Sequence, residues 1–347
     1  RNNPLKPLIN KSIAGTYSPG STIKPIVALS ALEFNVITPN LKIRCTGETE
    51  LYGQKYRCWK KKGHGFMSLR NAIKQSCDIY FYEIARLLGV DRLSITAKRF
   101  GLGTAHLKNF YLEEKKGIVP STKWKLNNLG KNWLLGETLI TGIGQGYIET
   151  TPLQLCIMTA QLANGGFKIK PRIIYDNLIT YESIKSQIDE KTNKIKINLE
   201  QKNILSDTVG ESDFLKPLFR NQENIKFVLE AMFGSTNEPG GTSYSSRHSS
   251  KKYQYAGKTG TAQVKRITEA EREADLKLEQ IPYEERDHSI FVAFGPYANP
   301  RYAISVFIEH GGSGSKTAAP IAKKLLKKVI DRHSDRENYK NNKLTKV

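Results

Sequence analysis

Apolar and polar positions divide the chain into a helix-rich first half and a final third that bears strands. Ile26 to Leu32 is an apolar run after the turn Pro19-Gly20, and Ile79 to Ala85 has the spacing of an amphipathic helix. Ser68 is placed to cap a helix through Lys74, Ile79 to Leu88 predicts a second ending at Gly89, and Asp91 to Phe100 a third ending at Gly101. Thr151 as N-cap and Pro152 at the first position open another, with Leu155, Cys156, Met158 and Thr159 as its buried face. Asn221 to Phe233 predicts one more helix. Tyr253 to Lys258, Ser289 to Pro296 and Tyr302 to His310 then read as strands, the last two joined by a tight turn at Asn299-Pro300. Ala318 to Ile330 forms an amphipathic helix fit to cover one sheet face, and residues 331–347 read as a disordered tail behind a domain spanning 1–330.

Three intervals interrupt this pattern. Residues 104–135 are loop-rich, with Lys115-Lys116-Gly117 and the tryptophans Trp124 and Trp133, which read as core plugs in preference to walls of a ligand cleft. Tyr175 to Ser212 is a polar, variable excursion, and Glu269 to Arg286 is a charge run with helical spacing that reads as an exposed insertion. No stretch of 18 apolar residues occurs, so the sequence contains no candidate membrane span.

At 347 residues the chain can bury a full core, and its 39% hydrophobic and 25% charged content is ordinary for a globular protein. The net charge of +21 is not ordinary. Its 54 Lys and Arg residues are spread along the chain rather than gathered in one arm, and no nucleic-acid motif accompanies them. The charge therefore reads as a solvated face suited to lie near an anionic membrane surface, not as a DNA or RNA footprint.

The candidate chemistry begins at Ser21-Thr22-Ile23-Lys24. A serine and a lysine three apart at a helix start share a face, so the amine can reach the hydroxyl and take its proton, provided burial beside other cations depresses its pKa. The four-residue pattern is common by chance, and alone it describes a capped helix with a solvated lysine. Two more segments give it company: Ser76-Cys77-Asp78 ahead of the amphipathic run at Ile79, and Lys258-Thr259-Gly260-Thr261 at the end of a strand.

Ser-x-x-Lys, then Ser-x-Asn or a variant, then Lys-Thr-Gly, in that order, resembles the signature of penicillin-binding proteins and serine β-lactamases. Leu5 to Pro25, Gly142-Ile143-Gly144-Gln145-Gly146 with Thr151-Pro152-Leu153-Gln154, and Ala256 to Gln263 are similar to the transpeptidase domain of class B penicillin-binding proteins of the elongation type. The resemblance covers most of residues 1–330. Its one departure is Asp78, where the commoner pattern has Asn.

The resemblance implies an α+β transpeptidase fold, a central antiparallel sheet flanked by helices with an all-helical lobe. It implies a peptidoglycan D,D-transpeptidase in which Ser21 attacks a D-Ala-D-Ala stem peptide or a β-lactam. Lys24 takes the proton, Ser76 relays one to the leaving amine, and backbone N–H groups of Ser21 and Thr261 form the oxyanion hole. Lys258, Thr259, Gly260 and Thr261 with Asp78 hold the substrate, and no cofactor enters the chemistry. It further implies a membrane helix and a non-catalytic pedestal ahead of this segment, a place on the periplasmic face of the inner membrane, and partners among a membrane-embedded glycosyltransferase and elongation-complex proteins. In that fold a helix and two strands precede the Ser-x-x-Lys helix. Only 20 residues precede Ser21 here, so the sheet is expected to be short of strands and open at an edge. The rival readings are a serine β-lactamase, for which no Glu-x-x-Leu-Asn pattern is visible, a penicillin-binding sensor domain, and a basic binding protein.

Cys45, Cys58, His64 and Cys77 follow the spacing Cys-x12-Cys-x5-His-x12-Cys, which offers three thiolates and an imidazole to one metal. A Cys45–Cys58 disulfide is the alternative in an oxidising compartment. Pairing would leave an odd cysteine, Gly63 and Gly65 let the loop wrap around His64, and the resembled type holds zinc in this region. A structural zinc ion is therefore the expectation, pinning Ser76 through its neighbour Cys77.

Overall fold

The computed structural model describes residues 6–171, 173, 188–189, 194–195, 217–265, 271, 274 and 276–344, with side chains described as far as Arg332. A single-turn helix α1 (Lys11–Ala14) leads to a 3-10 turn over Gly20–Ile23 that runs directly into α2 (Lys24–Glu33). Ser21 thus lies inside the turn rather than at a cap. Every residue of α2 from Lys24 to Leu32 is buried, which is why the run from Ile26 shows no polar stripe.

Four short strands follow. β1 (Lys42–Cys45) pairs antiparallel with β4 (Gly65–Ser68), and between them β2 (Glu48–Leu51) forms a hairpin with β3 (Gln54–Arg57). The helical lobe obeys its sequence signals closely. Ser68 accepts a hydrogen bond from the Asn71 N–H to open α3 (Leu69–Gln75), and Gly89 separates α4 (Asp78–Leu88) from α5 (Val90–Arg99). After α6 (Thr122–Leu129) and α7 (Leu135–Gly142), Thr151 and Gln154 form a reciprocal capping box on α8 (Pro152–Ala163). Trp124 and Trp133 both pack on the Tyr147 ring, at 5.5 and 6.2 Å between centroids, so they plug the base of the loop after α7.

The excursion expected at Tyr175 to Ser212 lies outside the described residues apart from the two-residue strands β5 (Ile188–Asp189) and β6 (Lys194–Ile195). Asn221 caps α9 (Gln222–Asn237). The main sheet then has three antiparallel strands among the described residues, β7 (Ala256–Ala262), β8 (His288–Gly295) and β9 (Tyr302–Ile308), in that order. Along β8 the side chains alternate: Ile290, Val292 and Phe294 enter the core shared with α2, α8 and α9, while Phe291 and Ala293 enter a second core beneath α10 (Ala319–Leu344). A strand covered on both faces reads as an unbroken apolar run, as 290–294 does.

Two sequence expectations need correction. The strand placed at Tyr253 to Lys258 begins at Ala256, because Lys251–Tyr253 is a 3-10 turn whose Tyr253 hydroxyl donates to Asp331 on α10. Lys258-Thr259-Gly260 consequently lies in mid-strand rather than at its end. The charge run ending at Arg286 is helical at Glu271 and Ala274, in keeping with its spacing, and carries two 3-10 turns further on, Leu278–Gln280 and Tyr283–Glu285, among its described residues. The backbone from Arg332 to Leu344 continues α10 instead of forming a tail. No Gly or Pro follows Pro320 in that helix, and Lys327 pairs with Asp331 one turn on, so local propensity extends it where composition alone suggested disorder. Among the described residues no helix is long and apolar enough to cross a membrane.

Candidate active site

Three segments from distant parts of the sequence meet at one buried hydroxyl. Ser76, the C-cap of α3, holds a left-handed backbone (φ 57°, ψ 42°) that turns the chain sharply into α4. Its Oγ accepts from Lys258 Nζ at 2.8 Å and from Lys24 Nζ at 3.2 Å. Both amines are fully buried. Lys24 also donates to the Ser76 carbonyl at 3.0 Å and to Asp78 Oδ1 at 2.7 Å, and its Nζ lies 5.2 Å from the centre of the Phe81 ring. Burial, and then the nearby charge of Lys24, push the Lys258 amine well below the ordinary lysine range, with Asp78 pulling the other way.

Ser21 is partly exposed, and among the described residues its hydroxyl forms no hydrogen bond. The three donors of Lys24 are spent on Ser76 and Asp78, so the expected direct bond between Lys24 and Ser21 is not formed. The reason is Asp78. Its carboxylate opens α4 inside the protein and attracts the amine more strongly than a neutral amide would. For the same reason Asp78 faces inward rather than towards a ligand: Oδ1 pairs with Lys24, and Oδ2 accepts from the Trp59 backbone N–H at 2.9 Å.

The turn that carries Ser21 is wedged between two backbones. The Gly20 N–H donates to the Gly144 carbonyl at 2.9 Å, and a Cβ on Gly20 would lie 2.5 Å from the Thr261 carbonyl oxygen and 3.2 Å from Thr261 N. Gly144, at φ +78°, is held as tightly, since a Cβ there would lie 2.1 Å from the Gly20 oxygen. Gln145 completes the wedge by donating from Nε2 to the Thr261 carbonyl at 3.1 Å. The backbone of Ser21 is thereby set beside that of Thr261, the arrangement two converging N–H donors require. Thr259 donates its hydroxyl to Thr242 at 2.9 Å, and Thr261 is exposed.

The four cluster residues also meet. One donor atom from each of Cys45, Cys58, His64 and Cys77 lies within 4.8 Å of every other, and His64 Nδ1 is 3.5 Å from both Cys45 Sγ and Cys58 Sγ. Cys45, Cys58 and Cys77 are free thiols, and a tetrahedral zinc ion with Zn–S bonds of about 2.3 Å spaces its sulfur ligands about 3.8 Å apart. The donor set fits such an ion. Cys77 hydrogen-bonds to Cys58, which holds the Cys58 thiol below the ordinary range and raises that of Cys77. The fourth cysteine, Cys156, lies on α8 with its Sγ 3.5 Å from the Ala303 carbonyl and has no place in the cluster.

Sequence reasoning missed two residues here. Trp59 follows Cys58 directly and touches both Ser76 and Asp78; Thr242 backs Thr259. Only the adjacency of Trp59 to a candidate ligand could have drawn notice.

The penicillin-binding-protein transpeptidase domain model matches residues 1–327. The chain belongs to that family. Its relatives include the peptidoglycan D,D-transpeptidase MrdA of Salmonella typhimurium, 35% identical over 95% of this chain and 49% of that protein, and MrdA of Escherichia coli K12, 33% identical over 95% and 47%. Among solved structures, penicillin-binding protein 2 of Pseudomonas aeruginosa in complex with WCK 5153 is similar with a TM-score of 0.74 at 35% identity, covering 94% of this chain and 64% of that one. Penicillin-binding protein 2 of Helicobacter pylori in complex with MreC is similar at 0.73 and 32%, covering 94% and 51%. The chain spans about half the length of the curated relatives it matches. The expected transpeptidase fold is thus met.

Proposed function

We propose that this domain is a peptidoglycan D,D-transpeptidase that cross-links stem peptides through an acyl-enzyme on Ser21. The observation that carries the proposal is the continuous contact Lys24 Nζ, Ser76 Oγ, Lys258 Nζ beside the turn bearing Ser21. Ser21 Oγ attacks the carbonyl of the penultimate D-alanine, and its proton passes to Lys24 in its neutral form, after that amine has lost a proton and turned from its present partners towards Ser21. Ser76, hydrogen-bonded to both lysines, returns a proton to the departing D-alanine amine as the peptide bond breaks. The amine of a neighbouring stem then takes the acyl group and frees Ser21. The N–H groups of Ser21 and Thr261 stabilise the oxyanion, each contributing about 3 to 4 kcal/mol in a water-poor site. Thr259 and Thr261 hold the terminal carboxylate, with the Lys258 amine behind them on the same strand. A β-lactam enters by the same attack and, having no departing peptide, remains bound.

Cys45, Cys58, His64 through Nδ1, and Cys77 would hold a zinc ion. With four protein ligands it supplies no chemistry and serves only to fix the segment. The names of the relatives support a place in peptidoglycan synthesis, and we set that work in cell-wall elongation at the periplasmic face of the inner membrane. There the full protein would work with a membrane-embedded glycosyltransferase and with elongation proteins of the kind named in the MreC complex.

The test is a D-Ala-D-Ala stem peptide with an amine acceptor. Release of D-alanine together with a cross-linked product, both lost in Ser21→Ala, is expected. Hydrolysis of penicillin at many turnovers per chain would indicate a β-lactamase and overturn the reading.

A further inference from the structure

Trp59 is 57% exposed, yet its polar atoms point inward. The indole N–H is shared between the Gln75 and Ser76 carbonyls, at 3.1 Å to each, and the backbone N–H donates to Asp78 Oδ2 at 2.9 Å. Its ring stands edge-on to that of His64, 5.3 Å between centroids, and Cys58 precedes it in the chain. An exposed indole could donate to water at no cost to the fold. Here it is spent on the two carbonyls flanking a non-glycine residue held in the left-handed region, a conformation that costs about 1 kcal/mol or more unless its surroundings enforce it. The Ser76 carbonyl it holds is also the one that receives Lys24. The Asp78 oxygen it holds leaves the other free to pair with the same amine.

We propose that Trp59 is a positioning residue of the acylation site: it locks Ser76 in its left-handed turn and aims Asp78 at Lys24. Whatever fixes Cys58 and His64 is thereby transmitted to the two groups that handle the proton of Ser21. Residues 42–68 are then part of the reaction's geometry rather than a decoration on the helical lobe. The proposal rests on the acyl-enzyme reading above.

Trp59→Phe keeps an aromatic ring beside His64 and the backbone N–H, and removes the indole donor with its five-membered ring. In stopped-flow acylation of the full chain by a fluorescent penicillin, the limiting acylation rate is expected to fall about five-fold, as for one lost neutral hydrogen bond. The dissociation constant of the initial complex should stay within about two-fold, because no ligand-binding group is touched. An unchanged acylation rate, or a loss confined to the melting temperature, overturns the proposal. A second measurement does not depend on labelling. In a Trp124→Phe/Trp133→Phe chain, the remaining indole N–H should exchange with solvent at least about ten-fold more slowly than in a free indole. Fast exchange overturns the proposal. Slow exchange in that chain, with a wild-type chain that never labels, would uphold this geometry while sinking the acyl-enzyme reading.

Discussion

Ser76 is gripped from two sides that are built differently. Lys258 reaches it from β7, where Ala256 to Gly260 are all buried and the neighbouring strand is packed on both faces. From the other side it is approached by residues 42–68, whose four strands have four residues each and bury only Cys45, Tyr56 and Met67 between them. Two-stranded pairs of that length do not hold their shape by ladder bonds alone. On the β7 side, position follows from apolar packing, and any residue of the right size and period contributes. In the hairpin region it follows from a few side chains, the Cys3His cluster and the polar atoms of Trp59. A small unit without a core needs such a staple, for the reason that small disulfide or metal domains do.

Four experiments probe that contrast, in decreasing order of expected effect. Lys24→Met removes the amine that both sides share, and labelling by a fluorescent penicillin should fall about a thousand-fold. It also strands the Asp78 carboxylate in a buried place, so melting temperature falls as well. Adding Asp78→Asn should restore the melting temperature but not the labelling. Gly144→Ala strikes the packed side. With a Cβ 2.1 Å from the Gly20 oxygen at positive φ, it should cost about 2 to 4 kcal/mol in denaturant unfolding.

Cys58→Ser strikes the stapled side. Zinc content, expected at about one ion per chain, should be lost. The amides of Cys58 and His64, bonded to the Gly47 and Cys45 carbonyls, should exchange at least about ten-fold faster, while those of β7 to β9 keep their protection. Simultaneous loss in both regions would mean that the hairpin is no separate unit. The smallest effect is expected at Glu238, which joins α9 to α3 through Arg70 and Lys74. Donation from Arg70 holds its carboxyl down at about 2. A depressed acid stabilises the fold above its unfolded pKa and loses that contribution as pH falls through the folded one. Glu238→Gln should therefore cost about 1 kcal/mol at pH 7, measured by urea unfolding, a difference that shrinks as pH falls towards about 2 and vanishes only below it.

Local spacing and order carried much of this site. Ser21, Lys24, Ser76 and Lys258 were readable because the motifs stand in a fixed sequence, and the helix limits at Ser68, Gly89 and Thr151 because caps act within one turn. The Cys3His grouping was readable from ligand type and spacing. What stayed hidden depends on contacts made across the chain. The choice of Lys24 between Ser21 and Asp78 is decided by where α4 begins. Trp59 gains its importance only when the hairpin folds back on Ser76. The start of β7 is displaced by a bond from Tyr253 to a residue 78 positions away. Beyond Arg332, composition suggested disorder and propensity suggested helix, and no local signal ranked them.

The most direct measurement is peptide mapping by mass spectrometry after exposure of the full chain to a penicillin. One intact penicilloyl group on the peptide containing Ser21, absent in Ser21→Ala and persisting after free drug is removed, is the predicted result. An unmodified Ser21 in a folded chain, or an adduct at any other residue, would contradict it.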